Sequence, residues 1–265
     1  MIAKTKREFS VNYSHLIKEA LEKPGVLSDC YRLFHNYSIH NQILAMYQLH
    51  GDICPINTYN GWKSMGRQVK KGQQALFLWM PVGGYSKTIK DEETGEEKKI
   101  FVGQRFMFTP RWFGLNQTEG KELVNPEKIK PLNFDFEPLY KKYGIKIVKY
   151  ESVKGNTQGY ANTIEKTIAI NPLAKNPEKT IIHEIAHIAL EHGTKRKDVP
   201  KDLKEVEAET VSYIIGSIIK LDETILSSCR AYIQGWLGEN ELPEKNVKKI
   251  LSVANDMIKA GIKGE

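Results

Sequence analysis

The segment 176-NPEKTIIHEIAH-187 decides how this chain of 265 residues is organised. Asn176 is a typical N-cap, Pro177 suits the first helical turn, and an acid follows near the positive end of the helix dipole. Gly193 lies where a helix commonly ends. The segment therefore predicts a helix over 177–192, and its abundant isoleucines predict that this helix is buried.

The predicted helix carries the string HEIAH at 183–187. Residues four apart share a face of a helix, so the imidazoles of His183 and His187 can face the same metal ion. Glu184 is turned by about 100° from His183, which suits a residue that acts beside a metal without binding it. A buried helix seldom spends two histidines and a glutamate on packing. We therefore interpret the string as a zinc site with Glu184 as the catalytic base.

A catalytic zinc ion needs a third protein ligand, and two stretches offer one. His192 lies five residues after His187, whereas the metzincin pattern requires six with an intervening glycine, so we interpret His192 as a residue of the helix end. Glu205 and Glu209 lie four apart on the next predicted helix and share a face. We assign Glu205 as the ligand and Glu209 as the carboxylate that orients an imidazole. The exchange of these two roles stays an alternative, and Glu207 is interpreted as solvated.

The spacing from His183 to Glu209 resembles the gluzincin pattern, in which one glutamate binds zinc and an acid four residues later supports a histidine. It is also similar to that of ImmA/IrrE-type peptidases, whose run E-x-E-A-N corresponds to residues 205–209, with Glu209 in place of the asparagine. This resemblance covers about residues 145–220. It implies a zincin-like metallopeptidase domain that uses Zn²⁺ to hydrolyse peptide bonds in a protein or peptide substrate.

Periodicity and composition outline the rest of the chain. Helices are predicted over 10–21, 28–50, 200–218 and 245–261, and strands over 76–81, 100–108, 145–150 and 167–170. The acidic segment 91–99 is interpreted as a hairpin turn and 123–137 as a linker. The fold class is therefore predicted to be α+β, in two domains of residues 1–125 and 126–265.

The composition also indicates a compartment. The chain contains no run of eighteen apolar residues, no signal-like apolar core near its start, and three dispersed cysteines. A membrane span requires a long apolar run, a secretory leader requires an apolar core near the start, and a disulfide framework requires more cysteines at regular spacing. We therefore expect a cytoplasmic protein with no membrane partner.

The first half of the chain contains a basic region with aromatic residues. Residues 53–90 include six Lys or Arg and no acid. Aromatic rings that stack on bases, flanked by cations that bind phosphates, hold single strands without reading their sequence. We predict that single-stranded DNA binds at Trp62, Lys63, Arg67, Lys70 and Lys71. The plainer interpretation is a mildly basic surface without a partner.

Three motifs in this half resemble the N-terminal domain of ArdC-type antirestriction proteins and of the related LtrC-like proteins of mobile elements. They are YSIHNQIL at 37–44, YNGW at 59–62 with GRQVKKG at 66–72, and WFGLNQTEG at 112–120. The match spans about residues 10–122, with Gly114 where the family usually has an acid. The resemblance implies a single-stranded DNA-binding domain joined to a zincin-like domain, and a role in protecting incoming DNA.

Two other functions stay open at this point. The chain could be a non-catalytic antirestriction protein that protects single strands, with the zincin-like domain as a structural module. It could instead be an ImmA-like protease that cleaves one repressor, with the N-terminal domain as a docking module. The intact Glu184 favours catalysis, because a structural zinc site does not need that glutamate.

Overall fold

The structure is a computed structural model of the 265-residue chain. It describes residues 12, 14–15, 17–18, 37–50, 52, 54–90, 97–102, 105–122, 133–151, 157–238 and 240–262. Helices and strands both contribute substantially, which confirms the α+β class. Across the described ranges, none of the helices has the length and apolar character that crossing a membrane would require.

The chain divides into two compact units by its contacts. Residues 44–125 form one unit, and residues 1–43 together with 126–265 form the other. The division into domains of residues 1–125 and 126–265 stays a prediction, since the contacts separate the chain at residue 125 but also group residues 1–43 with the C-terminal part.

The unit of residues 44–125 is built from antiparallel strands. Helix α1 (Ile39–Gln48) runs into it, and the elements that follow are β1 (Ile56–Thr58), α2 (Tyr59–Ser64), β2 (Arg67–Val69), β3 (Leu76–Val82), β4 (Tyr85–Lys90), β5 (Glu97–Val102), β6 (Arg105–Gly114) and β7 (Thr118–Gly120). Strand β6 lies between β1 and β3, and β7 pairs with β2. A 3-10 turn, Leu115–Gln117, joins β6 to β7.

The sequence predicts a single hairpin from strands 76–81 and 100–108, whereas the structure contains two strand pairs, one nested inside the other in sequence. Strand β3 pairs with β6, and inside that pair β4 pairs with β5. The apolar run 100–108 is therefore shared between two strands, because β5 ends at Val102 and β6 begins at Arg105. Of the expected turn 91–99, the last three residues belong to β5 and the others lie outside the described residues.

The second unit contains a small sheet and a group of helices. Its elements are α3 (Glu137–Tyr143), β8 (Lys146–Ile147), β9 (Gly159–Asn162), β10 (Thr167–Ile170), α4 (Pro177–Ala189), α5 (Lys201–Ile219), α6 (Glu223–Leu237) and α7 (Glu244–Gly261). Strand β10 lies between β9, which is antiparallel to it, and β8, which is parallel. Strands β9 and β10 form a hairpin, and β10 coincides with the strand predicted over 167–170.

Helix α5 is the centre of this unit. Its residues 206–218 are all buried, and α4, α6 and α7 all pack against it. Helix α6 was not predicted from the sequence. Only Leu226, Cys229 and Ile233 of its fifteen residues are buried, so its apolar face is narrow.

Residues from the start of the chain contact the end of the same unit. Ile17 is buried, and the Ser14 hydroxyl donates to the carbonyl of Leu242 at 2.5 Å. The backbone is helical at the described positions 14–15 and 17–18, as expected for a helix over 10–21. The remainder of that helix, and residues 28–36 of the helix predicted over 28–50, lie outside the described residues.

Strand β9 approaches α4 so closely that residue 159 has to be small. A Cβ at Gly159 would lie 2.7 Å from Cγ2 of Thr180 and 3.0 Å from the carbonyl oxygen of Ala169. Gly159→Ala should therefore lower the free energy of unfolding by about 1–3 kcal/mol, measured by urea denaturation.

Gly235 on α6 provides the matched control, because a Cβ there would meet nothing within 4 Å. Gly235→Ala should raise the free energy of unfolding by up to about 1 kcal/mol through helix propensity. Equal effects of the two substitutions would contradict the close approach of β9 to α4.

Candidate metal centre

His183, His187 and Glu205 lie together where α4 packs against α5. The two imidazole Nε2 atoms are 3.1 Å apart. Oε2 of Glu205 is 3.5 Å from Nε2 of His183 and 3.7 Å from Nε2 of His187. A tetrahedral ion with bonds of about 2.0–2.1 Å separates its ligands by about 3.3 Å. The three donor atoms therefore have the spacing that a single divalent cation requires.

Glu209 holds the His183 ring from the side away from Glu205. Nδ1–H of His183 donates to Oε2 of Glu209 at 2.9 Å, and the ammonium of Lys179 binds the same oxygen at 2.7 Å. Burial disfavours the charged carboxylate, but these two contacts keep the pKa of Glu209 below its usual range. A proton on Nδ1 leaves the Nε2 lone pair directed toward Glu205, as metal binding requires.

The electrostatic field of the cluster attracts a cation. Burial favours the neutral form of His183, but Glu205 and Glu209 on opposite sides of the ring raise its pKa to about 9. Contacts with the imidazoles of His183 and His187 lower the pKa of Glu205. A proton or a metal ion is therefore strongly favoured between these carboxylates.

Glu184 is adjacent to the three donor atoms without belonging to their group. Its side chain is buried, and burial raises its pKa. It lines a cleft of about 660 Å³ together with His183 and Glu205. A second cavity, of about 370 Å³, borders His183 and Glu205 from the side of α6. Glu184 is thus a basic carboxylate that faces the same open space as the candidate metal ligands.

The prediction that Glu207 is solvated was wrong. Its carboxylate is fully buried and contacts Arg196 at 2.6 Å, Asn246 at 2.8 Å and His192 at 2.9 Å. The physical reason is that α7, which carries Asn246, covers the side of α5 from which Glu207 projects. The sequence signal that could have revealed this is the absence of any charged residue from 210 to 219 on the same helix.

His192 does not join the donor group, in agreement with its exclusion as a ligand, but its environment was missed. Helix α4 ends at Ala189 instead of 192, and Glu191 adopts a positive φ of 61°, so Gly193 is not the cap. On an unbroken helix His192 would lie about 140° around the axis from His187. The turn instead brings its Nδ1 to 2.9 Å from Nδ1 of His187.

Two residues of the predicted DNA-binding set have structural roles in the unit of residues 44–125. Trp62 is 1% exposed and donates its indole N–H to the carbonyl of Phe113 at 2.8 Å, so its prediction as a stacking residue was wrong. The Arg67 guanidinium donates to the hydroxyl and the carbonyl of Thr118 at 2.8 and 3.1 Å. These contacts direct Arg67 toward β7.

The other predicted cations are exposed, and an aromatic ring that the sequence interpretation missed lies near one of them, Lys63. Lys63, Lys70 and Lys71 are all exposed, although Lys70 also binds a backbone carbonyl. Tyr59, at the start of α2, is 48% exposed and lines a cavity of about 460 Å³ with Lys63 and Arg67. A helix of only six residues can turn either of its aromatic residues inward, so the sequence alone does not choose between Tyr59 and Trp62.

Two imidazoles and a carboxylate on neighbouring helices of an α+β fold define a candidate divalent-metal centre. Among solved structures, the chain is similar to the antirestriction protein ArdC from the R388 plasmid. For the Mn(II)-bound form the TM-score is 0.50 at 16% identity, over 95% of this chain and 97% of that chain. For the metal-free form these values are 0.48, 17%, 95% and 95%. No protein-family model and no curated protein matches the chain.

The similarity shows a shared fold. It leaves the roles assigned to individual residues as predictions, and these can be tested directly.

We expect one divalent ion per chain, and elemental analysis with calorimetric titration should detect it. His187→Ala and Glu205→Ala should abolish stoichiometric binding, because each removes one of three donor atoms. Glu209→Ala should weaken binding by about 10–100-fold, the usual cost of losing a residue that orients a ligand. Glu178→Ala, at an exposed position of α4, is the control and should bind as wild type does. Retention of the ion by Glu205→Ala, with loss in Glu209→Ala, would show that the two carboxylates exchange roles.

Proposed function

We propose that the chain is a metal-dependent peptidase that uses zinc. The observation that carries this proposal is the position of Glu184, a buried carboxylate of raised pKa that lines the same cleft as His183 and Glu205. A site that serves only to stabilise a fold does not need an additional basic carboxylate facing open space. The adjoining volume of about 660 Å³ is large enough for several residues of a peptide chain.

The choice of zinc follows from the donor set. Imidazole nitrogen binds zinc well, whereas sites for manganese and magnesium are dominated by oxygen, and zinc also exceeds manganese in affinity for a given site. One crystal structure of ArdC contains Mn(II). The affinity of this chain for Mn²⁺ is therefore the natural comparison with its affinity for Zn²⁺.

Each group at the site would have a separate role in peptide hydrolysis. A bound zinc ion would supply Lewis acidity, which polarises the scissile carbonyl and makes a water molecule more acidic. Glu184 would accept the proton of that water and deliver it to the leaving amine, and burial suits it to this role by raising its pKa. Glu209 and Lys179 would keep the His183 ring in place throughout.

We further propose that the unit of residues 44–125 binds single-stranded DNA. The observation that favours this function is the cavity formed by Tyr59, Lys63 and Arg67, with an exposed ring and an exposed ammonium at its rim. Phe106 on β6 and Trp79 on β3 are also exposed, at 61% and 36%. Exposed rings and cations on one unit are the elements that hold single strands.

Together these two proposals describe a DNA-associated peptidase with a role in antirestriction. The fold shared with a plasmid antirestriction protein supports protection of incoming DNA as the setting. In this proposal the unit of residues 44–125 brings the peptidase to single strands, where it cleaves a protein substrate.

Glu184→Gln should abolish peptide hydrolysis and leave metal affinity within about twofold, because the amide cannot accept a proton and Glu184 is not a ligand. The assay is cleavage of unfolded protein substrates and of the chain itself, with and without single-stranded DNA. Glu178→Gln makes the same chemical change on the exposed side of α4 and serves as the control.

Three results of this experiment have distinct meanings. Loss of cleavage in Glu184→Gln alone supports the peptidase. Identical behaviour of wild type and Glu184→Gln under every condition would remove the peptidase and favour a DNA-protecting protein with a structural metal site. Cleavage that requires Glu184 but ignores DNA would favour an enzyme that processes one particular protein.

Tyr59→Ala should weaken binding of single-stranded oligonucleotides by about 1–3 kcal/mol in the full chain, the range measured for a base that stacks on an aromatic ring. Lys63→Ala and Lys71→Ala should weaken it uniformly across sequences and reduce its salt dependence. Tyr232→Ala removes an equally exposed tyrosine from the other unit and is the control. Affinity that does not change with salt, or a preference for duplex, would contradict this binding mode.

A further inference from the structure

Behind His187 lies a chain of buried polar groups that the proposed reaction does not use. Nδ1 of His187 is 2.9 Å from Nδ1 of His192, and Nε2 of His192 is 2.9 Å from Oε2 of Glu207. The other carboxylate oxygen of Glu207 accepts hydrogen bonds from Arg196 at 2.6 Å and from Asn246 at 2.8 Å. His192 and Glu207 are 3% and 0% exposed, so water does not compete for these bonds.

The positions of the protons follow from the partners. The carboxylate of Glu207 forms an ion pair with the Arg196 guanidinium at 2.6 Å and accepts a hydrogen bond from the Asn246 amide at 2.8 Å. A carboxylate oxygen accepts a hydrogen bond, so the proton shared with His192 lies on Nε2 of that ring. A neutral imidazole carries one N–H, so with that proton on Nε2 the Nδ1 atom of His192 has a lone pair.

This arrangement determines which nitrogen of His187 carries a proton. Two Nδ1 atoms at 2.9 Å need one proton between them, and His192 has none to offer there. Nδ1 of His187 is therefore the donor, and its Nε2 lone pair is left free on the side of His183 and Glu205. Glu209 produces the same result for His183, so both histidines present Nε2 to one point.

We propose that His192, held by Glu207, is a positioning residue that fixes the tautomer and orientation of His187 and so strengthens divalent-metal binding at His183, His187 and Glu205. This inference rests on the metal site proposed above. It differs from the usual arrangement in which a carboxylate or a carbonyl contacts the ligand directly, because here a second imidazole transmits the effect of the carboxylate.

The alternative is a purely structural network that joins α5 to the chain after α4 and to α7. Such a network would need Glu207, Arg196 and Asn246, which come from those three segments. It would not need the contact between His192 and His187. A positioning role therefore predicts that loss of this contact changes the metal affinity and the tautomer of His187. A structural role predicts that it changes only the stability of the fold.

The first test is zinc affinity of the full chain, measured by competition with a chromogenic chelator. His192→Leu removes the acceptor for His187 Nδ1–H at similar volume and should weaken zinc binding by about 10–100-fold. His192→Gln keeps an acceptor oxygen and should recover most of the affinity. Ser212→Ala is the control, since Ser212 is equally buried on α5 and its hydroxyl donates to the carbonyl of Ala208 on its own helix. Thermal unfolding of the metal-free variants accompanies each measurement.

The outcomes are distinct for each idea. Wild type that binds no divalent ion would overturn the metal site itself. Wild type that binds zinc, with equal affinity in His192→Leu and a lowered melting temperature, would overturn the positioning role and leave a structural network. Loss of zinc affinity in His192→Leu, with recovery of that affinity in His192→Gln, supports the proposal.

The second test reads the tautomers directly. Long-range ¹H–¹⁵N spectra of the zinc-loaded chain, labelled at histidine, distinguish a protonated Nδ1 from a protonated Nε2. We expect His187 to carry its proton on Nδ1 and His192 on Nε2. In Glu207→Gln, which removes the charge but keeps the shape, the His192 signals should shift toward the other tautomer or toward exchange. A His192 ring protonated on Nδ1 in wild type would overturn the proposal.

Discussion

A helix that is buried on all sides can carry carboxylates only when each of them has a partner, and this constraint organises the second unit. Helix α5 is covered by α4, α6 and α7, yet it carries Glu207 and Glu209 within its buried part. An unpaired buried carboxylate costs several kcal/mol. Lys179 and His183 therefore gather around one of them, and Arg196 and His192 around the other. The candidate metal centre lies where these two groups of contacts meet.

The centre itself could largely be foreseen, because its geometry is local. Residues four apart on one helix bring His183 and His187 together, and the same spacing places Glu205 and Glu209 on one face of the next. The environment of Glu207 could not be foreseen in this way, because it depends on α7, which lies some forty residues later in the chain. A short acidic run looks solvated until the packing on its far side is known.

The remainder of the fold was also predicted only where a local sequence pattern determines it. Periodicity predicted the longer helices and the strands β3, β6 and β10, but the helices α2, α3 and α6 and the short strands β1, β2 and β7 were missed. In the unit of residues 44–125, the chemistry of aromatic residues near lysines was recognised, but the choice between Tyr59 and Trp62 was not. That choice depends on a hydrogen bond to Phe113, more than fifty residues away in the sequence. Long-range contacts, which a local pattern does not contain, decide both cases.

Charge balance explains why the cleft suits a dication instead of another internal ion pair. The two deep carboxylates each have their own cation, Lys179 for Glu209 and Arg196 for Glu207. In the part of the chain that the structure describes, Glu205 and Glu184 form no ion pair with lysine or arginine, and both face the cleft. Two negative charges beside two converging Nε2 lone pairs match an ion of charge two. A proton on His183, whose pKa is about 9, compensates only part of this charge. Binding of a divalent ion would therefore stabilise the packing of α4 on α5 and link metal occupancy to folding stability.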